Sequence, residues 1–322
     1  MEPLIFEPLL KRIRWGGRRL GDCLQKPIGN ETDYAESWEI ADQPDGRSIV
    51  ATGRFAGHTL QQLIEAYPAE LLGRQQQLKQ FPLLIKFLDA NDWLSLQVHP
   101  DDEQAVRYNP DERGKTEAWV ILEAEPDSQI CAGLKAGVTR DEFEQRLQDG
   151  TIEACLHMLP ARVGDVVFVP ARTVHALGPG ILLAEIQQQS NLTFRVHDWG
   201  RVGADGQPRQ IHVEQALACT DFNRGPVNPV EPKLQQENGH RVEKLVCCDH
   251  FVIRRHTGRT EFTIDTDNRF RILMNLQGSA TVHTDGGEIT LHHGQTALVP
   301  AINPAIEVQP QSESVLLEVS YP

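Results

Sequence analysis

Short apolar runs separated by glycine, proline, asparagine or aspartate dominate this chain and most constrain its fold. They have the length of a β-strand and are rich in β-branched or aromatic residues, as in EAWVILEA, GDVVFVPA and GILLAEIQQ. Helical periodicity is confined to a few segments, near residues 58–73, 139–159 and 212–222. The pattern therefore predicts a mainly β protein with a few helices.

Composition narrows the functional classes. The 322 residues allow about two domains, and 45 acidic against 31 basic residues give a formal net charge of −14. This charge argues against nucleic acid or an anionic membrane as the main partner. Six cysteines without a CxxC pair indicate free thiols in a reducing compartment. No segment resembles a signal peptide or a membrane helix, which predicts a cytoplasmic location.

One segment is poor in apolar residues. Residues 223–241 contain three prolines and are predicted to form a linker or a long crossing segment. The chain would then divide into an N-terminal domain (1–222), which carries the helical segments, and a purely β C-terminal domain (242–322).

The two predicted domains share a spacing of glycine and proline. GDVVFVPARTVH (164–175) and GQTALVPAINPA (294–305) each contain a glycine, then five other residues, then a proline, and end at the fifth residue after that proline. A turn glycine, a short buried strand and a proline that ends the strand would produce this spacing. The first copy ends in His175, whereas Ala305 takes that position in the second.

The stretch DWLSLQVHPDD (92–102) alternates in polarity. In a strand, successive side chains point to opposite faces. The alternation sets an apolar face, with Leu94, Leu96 and Val98, against a second face with Trp93, Ser95, Gln97 and His99. We expect the polar face to line an interior and the apolar face to pack outward against another layer.

The Gly-x5-Pro-x4-His spacing resembles the second motif of the cupin superfamily, whose members are small double-sheet barrels. The usual motif has a glycine where this chain has Arg172. Gln97-Val98-His99 stands in place of the His-x-His of the first cupin motif, and Glu117 follows in the expected order. Either histidine alone would more often be structural. Together, Gln97, His99, Glu117 and His175 offer two imidazoles and two oxygens, a set that suits Zn²⁺.

Longer blocks resemble type I mannose-6-phosphate isomerases, most closely the short bacterial form. They include PLIFEPLLKRIRWGG, AESWEIADQPDGRSIVATG, LLIKFLDANDWLSLQVHPDD, GKTEAWVIL and LLAEIQQQSNLTFRVHDWGR, and the resemblance spans nearly the whole chain. It implies a zinc-dependent interconversion of mannose 6-phosphate and fructose 6-phosphate, with one Zn²⁺ per chain. It also implies metal ligands at Gln97, His99, Glu117 and His175, an essential arginine at Arg195 and a glutamate ahead of it at Glu185.

The implied reaction moves a carbonyl between C1 and C2 through a cis-enediol, so it needs a positioned base and a cation near the developing oxyanion. We assign Glu185 as the candidate base and Arg195, with zinc, to the oxyanion or the sugar hydroxyls. Lys115 is a further catalytic candidate. The alternatives are a structural Glu185 that fixes an arginine and a solvated loop position for Lys115.

The substrate's phosphate requires cations or hydroxyls. Lys86 lies among apolar residues in PLLIKFLDA, where a charge is costly unless it is paired or faces a ligand. Ser95 shares the polar face with Gln97 and His99. We therefore predict that Lys86 and Ser95 bind phosphate. The alternative for Lys86 is a side chain whose amine reaches the surface.

The C-terminal domain departs from the metal-binding pattern. When RILMNLQG is aligned with EAWVILEA, Arg271 takes the place of Glu117, and Ala305 takes that of His175. No second metal is expected, and this barrel should be structural. The predicted fold is mainly β, with two cupin (jelly-roll) barrels and a few helices attached to the N-terminal one.

Two other functions fit the same scaffold. One is a bicupin metal-dependent dioxygenase, which would use these ligands but would not need a phosphate pocket. The other is a non-catalytic sugar-binding cupin. The expected partner is a small-molecule sugar phosphate, with no nucleic acid and no membrane, and the chain is expected to be a monomer or a weak homo-oligomer.

Overall fold

The computed structural model describes residues 1–202, 206–237 and 240–322. Strands dominate the fold, as predicted. Within the described residues, no helix combines the length and apolarity that a membrane crossing needs. The α-helices are α1 (Arg19–Asp22), α2 (Leu60–Ala66), α3 (Pro68–Leu72), α4 (Asp102–Tyr108), α5 (Arg140–Gln148) and α6 (Val213–Cys219).

The strands before residue 200 are β1 (Leu4–Ile5), β2 (Leu9–Gly17), β3 (Tyr34–Ile40), β4 (Asp42–Gln43), β5 (Gly46–Arg47), β6 (Leu83–Ala90), β7 (Leu96–Val98), β8 (Glu117–Ala124), β9 (Gln129–Leu134), β10 (Leu156–Pro160), β11 (Val166–Val169), β12 (His175–Leu177), β13 (Ile181–Gln188) and β14 (Phe194–His197). The later strands are β15 (Lys233–Glu237), β16 (His240–Cys247), β17 (Val252–Gly258), β18 (Phe262–Asp265), β19 (Arg271–Gln277), β20 (Ser279–Thr284), β21 (Gly287–His292), β22 (Thr296–Val299), β23 (Ala305–Pro310) and β24 (Ser314–Ser320). Short 3₁₀ turns lie at Gly73–Gln75 and Ile152–Cys155.

The backbone contacts group the described chain into two compact units, which are residues 1–11, 18–87 and 231–322, and residues 12–17 and 88–230. This grouping differs from the predicted division at 222 and 242, because residues 18–87 are counted with the C-terminal strands. Strand pairing and core packing join segments that are distant in sequence, so composition alone does not reveal such a grouping.

In the unit that contains residues 88–230, five strands form an antiparallel sheet in the order β10-β9-β12-β7-β14, and β11, β8 and β13 are adjacent antiparallel strands. Leu96 and Val98 of β7 belong to a buried cluster that includes Phe143 of α5 and Leu217 of α6. Leu96 and Val98 therefore pack outward against helices, as predicted. Trp93, predicted on the inward face, packs against the same outer cluster, because β7 begins only at Leu96 and the alternation does not extend to residue 93.

In the other unit, a seven-stranded sheet has the order β1-β22-β19-β24-β17-β16-β15, and a four-stranded sheet has the order β18-β23-β20-β21. Apolar side chains from both sheets form one buried cluster, including Leu273 and Leu316 from the first sheet and Val282 and Val308 from the second. Two sheets that enclose a common core form a jelly-roll barrel.

The predicted linker makes ordered contacts. The N–H groups of Val227 and Val230 donate to the carbonyls of Ala132 (3.1 Å) and Val166 (2.7 Å), and residues 233–237 form β15 at the edge of the seven-stranded sheet. Proline lacks an N–H group, so prolines are tolerated beside a sheet where the residues between them donate the hydrogen bonds. A proline-rich composition thus does not distinguish a free linker from a segment of this kind.

Candidate metal centre

One row of the five-stranded sheet brings three predicted site residues together. His175 of β12 is the cross-strand partner of Gln97 in β7, and Gln97 is the partner of Arg195 in β14. Directly opposed residues in an antiparallel sheet point to the same face. This face is the opposite of the one that Leu96 and Val98 use in the outer core.

The strands β8 and β13 supply a second row. Glu117 is the first residue of β8 and opposes Gln187, while Trp119 opposes Glu185. Because residues 117 and 119 are two apart, these four side chains lie on one face of the two strands. Glu117 and Glu185 are both buried.

The two rows meet in a buried cluster of donor atoms. The side chains of His99, Glu117 and His175 each offer one donor atom within 4.8 Å of the other two. Nε2 of His175 lies 3.2 Å from Oε1 of Glu117, and Nε2 of His99 lies 3.8 Å from Oε2. Three of the four predicted ligands are thus assembled from separate segments.

Backbone carbonyls orient the two imidazoles. Nδ1 of His175 donates to the carbonyl of Thr173 at 2.8 Å, and Nδ1 of His99 donates to that of Leu192 at 3.0 Å. Each Nε2 therefore directs its lone pair at the cluster when the ring is neutral, the arrangement usual for metal-ligating histidines. Burial lowers the pKa of His175 to about 4, so that ring is neutral at pH 7. The donor set fits a divalent ion.

Lys115 is buried rather than solvated, which rules out the loop alternative. Its Nζ lies 2.9 Å from Oε2 of Glu117 and 3.2 Å from Nε2 of His99. The carboxylate of Glu117 is therefore paired with an ammonium group inside the cluster.

The side chain of Gln97 also reaches the cluster. It is half-buried, and its amide nitrogen lies 3.3 Å from Nε2 of His175. The amide is therefore beside the ring nitrogen that would bind an ion, and its role as a fourth ligand stays a prediction.

Trp119 is a member of the site that sequence reasoning missed. Its Nε1 donates to Oε2 of Glu185 at 3.1 Å, and its ring packs edge-to-face on His175 with 5.4 Å between the ring centroids. The sequence signal that could have identified Trp119 is its position two residues after Glu117 in the same strand, which places both side chains on one face. The carbonyls of Thr173 and Leu192 could not have been identified from the sequence, because every residue has a backbone carbonyl.

Arg195 is half-buried beside the same sheet. Its guanidinium donates to the carbonyl of Gln210 at 2.7 Å, and its buried Nε has no hydrogen-bond partner among the described residues. Burial, followed by the charge of Arg209, lowers the pKa of Arg195. Arginine nevertheless remains protonated at neutral pH. Ser95 is buried directly before β7.

Lys86 belongs to the other compact unit. It is buried in β6, with its Nζ 3.4 Å from Oε2 of Glu36 and 5.5 Å from the centroid of the Trp38 ring. A 5 % exposure excludes the alternative in which its amine reaches the surface. Its ion pair with Glu36 compensates part of the cost of burying the charge.

A buried His-Glu-His set of candidate metal donors inside a double-sheet β fold is the arrangement of the cupin class. A family model for the catalytic domain of phosphomannose isomerase type I matches residues 5–120. Mannose-6-phosphate isomerases from Streptococcus mutans and Bacillus subtilis are each 38 % identical to the chain over 93 % of its length, and the matches cover 92 % and 93 % of those proteins. The chain belongs to the type I mannose-6-phosphate isomerase family.

Solved structures agree in fold. The crystal structure of the mannose 6-phosphate isomerase from Bacillus subtilis matches with a TM-score of 0.91 at 29 % identity, and the match covers 100 % of both chains. A phosphomannose isomerase mutant from Salmonella typhimurium matches over 100 % of both chains with a TM-score of 0.80 at 15 % identity, which shows a shared fold alone.

Proposed function

We propose that this chain interconverts mannose 6-phosphate and fructose 6-phosphate, with one Zn²⁺ in the N-terminal barrel. The buried cluster of His99, Glu117 and His175 carries this proposal, because it gathers three metal donors beside Glu185 and Arg195. Family membership supports the substrate and the reaction.

The donor set favours zinc. Two neutral imidazoles and one carboxylate are ligands usual for catalytic Zn²⁺. Gln97 is the proposed fourth protein ligand, and because zinc sites can expand to five ligands, the ion could still accept water or a substrate oxygen. Only Glu117 among these four is negative, so the bound ion would keep a formal charge near +1 and supply a Lewis acid for a substrate oxygen.

The chain's own residues would move the proton and hold the sugar. Glu185 is the proposed base that carries a proton between C2 and C1 through a cis-enediol, with the Trp119 indole holding its carboxylate in place. Arg195, the cross-strand neighbour of Gln97, would place its positive charge near a substrate oxygen. Lys115 would add positive charge beside Glu117.

Removal and return of the metal test the proposal. We expect the purified chain to contain about one zinc per chain, to lose isomerase activity in a coupled assay after chelation, and to regain it with added Zn²⁺. Full turnover by metal-depleted protein would contradict the proposed role of zinc.

The same preparations separate the alternatives. Oxygen consumption with an organic substrate, and no isomerisation of mannose 6-phosphate, would indicate the dioxygenase. Sugar binding without turnover by the metal-loaded chain would indicate the non-catalytic cupin.

We also propose that Lys86 and Ser95 bind the phosphate. Replacing Lys86 with Met should raise the KM for mannose 6-phosphate at least about tenfold, because a charged contact to phosphate contributes 1.5–3 kcal/mol, roughly 10- to 100-fold. The inhibition constant of free mannose should change little. Lys79→Met, at an exposed lysine, is the matched control. Equal effects on both sugars would remove Lys86 from the phosphate site.

A further inference from the structure

The C-terminal barrel contains a cavity of about 470 Å³ that the proposed reaction does not use. Part of the space between its two sheets is filled by apolar side chains, among them Leu273 and Leu316. The cavity is instead lined by polar and charged side chains from both sheets, and its volume lies in the range of small-molecule sites.

Strand register shows that this cavity corresponds to the metal centre of the N-terminal barrel. Glu117 is the first residue of β8 and pairs with Val169, the last residue of β11, which is followed by Pro170. Arg271 likewise opens β19 and opposes Val299 before Pro300. Arg271 therefore stands where the first barrel has a metal ligand.

The carboxylate of the proposed base has a counterpart as well. Glu185 opposes the residue two positions into β8, and Glu318 opposes Leu273, two positions into β19. The second barrel thus keeps a buried carboxylate at this position and replaces the ligand Glu117 by a guanidinium.

A buried ionic network organises the lining. Glu318 accepts hydrogen bonds from Nε of Arg271 at 3.0 Å, from Arg254 at 3.2 Å and from Nε2 of His256 at 3.0 Å. His256 in turn lies 3.0 Å from His240. Replacing buried ionic groups by apolar ones is often neutral or stabilising. Packing alone therefore does not account for a polar cavity in a barrel whose remaining space is filled by apolar side chains.

The charges of the lining do not favour an anion. The carboxylates of Glu261 and Glu318 balance the guanidinium groups of Arg254 and Arg271. Burial lowers the pKa of His240 to about 4, so His240 adds no charge at pH 7. A phosphate would meet no excess of positive charge here.

The accessible polar groups suit hydroxyl groups instead. Exposed side chains at the cavity include the amides of Gln235 and Gln236 and the carboxylate of Glu261. Together they offer both donors and acceptors, and a hydroxyl group uses both. The ring of Phe262 adds an apolar surface for C–H groups. We propose that the C-terminal barrel binds an uncharged sugar or polyol, independently of any metal.

Binding to the full-length chain tests this proposal. Saturation-transfer NMR with chelator-treated protein would be measured against D-mannose, D-fructose, mannitol, glycerol and inorganic phosphate. We expect at least one of the uncharged compounds to bind. Replacing Val242 with Phe should fill part of the cavity from the seven-stranded sheet and weaken that binding at least tenfold. Thr290→Trp, at an exposed threonine of the four-stranded sheet outside the cavity lining, should leave it unchanged.

Each other outcome overturns the proposal. Either no binding of any uncharged compound, or tighter binding of phosphate, would exclude the proposed ligand class. Equal binding by the Val242→Phe and Thr290→Trp variants would place the ligand elsewhere. If Val242→Phe lowers the thermal midpoint, Ile264→Phe fills the cavity from the four-stranded sheet, and binding that survives it contradicts the proposal. Absence of isomerase activity in the unsubstituted chain would contradict the function proposed for the N-terminal barrel, and the binding measurements on the C-terminal barrel would be unaffected.

Discussion

The two barrels place side chains at equivalent strand positions and use them differently. In the N-terminal barrel, Glu117 contributes a carboxylate to a donor set that attracts a cation. In the C-terminal barrel, Arg271 at the equivalent position brings a permanent positive charge that pairs with Glu318. Strand register thus fixes the position of a side chain in the barrel. The charge of that side chain then decides whether the buried carboxylates are neutralised by the protein itself or by a bound ion.

Metal retention should show the largest difference between the barrels. His175→Ala removes one of three buried donors, so we expect loss of bound zinc and a decrease in kcat of at least about 10³-fold. Arg271→Met should leave the zinc content unchanged. Metal analysis after gel filtration, with a coupled assay, measures both. A folded Arg271→Met chain without zinc would show that the C-terminal barrel is needed for metal binding.

Glu185 should show the next largest effect. Glu185→Gln keeps the shape of the side chain and removes the base, so kcat should fall by about 10²- to 10⁴-fold while zinc is retained. Glu123→Gln, at an exposed glutamate of β8, is the control and should stay within about twofold. A Glu185→Gln variant with normal kcat would reduce this residue to a partner of Trp119.

Glu318 should act on stability. Glu318→Gln leaves buried Arg271 without its carboxylate partner, so the free energy of unfolding should fall by about 3 kcal/mol while zinc content is unchanged. Denaturant titration measures the loss. The double variant Glu318→Leu with Arg271→Met should recover part of it, because both charges are then removed. Equal instability of the single and double variants would contradict the ionic explanation.

The smallest expected effect is a pH dependence from His240. Burial, followed by the charge of His256, lowers its pKa to about 4, whereas an unfolded histidine has a value near 6.5. Between these values the unfolded chain binds more protons, so the free energy of unfolding should fall as the pH falls. The slope from this group is at most about 1.4 kcal/mol per pH unit.

Denaturant titrations from pH 7 to pH 5 measure that slope. His240→Asn should flatten it, and His283→Asn, at a partly exposed histidine of β20, should not. If the slope is unchanged in the His240→Asn variant, the imidazole of His240 does not cause the pH dependence of the free energy of unfolding.

The sequence by itself determined the strands and much of the metal centre. Strand periodicity is a local property, so the alternation at residues 94–99 was sufficient to separate the outward face from the inward face. Motif spacing then brought His99, Glu117 and His175 into one hypothesis, and the structure gathers their donor atoms.

Only the tertiary structure decided the rest. It buried Lys115 against Glu117 and His99, set Trp119 between Glu185 and His175, grouped residues 18–87 with the C-terminal strands and left a polar cavity in the second barrel. Each of these features depends on which distant segments pack together and on how completely they fill the space between sheets. A sequence pattern describes the neighbours of a residue along the chain, whereas burial and contact depend on its neighbours in space.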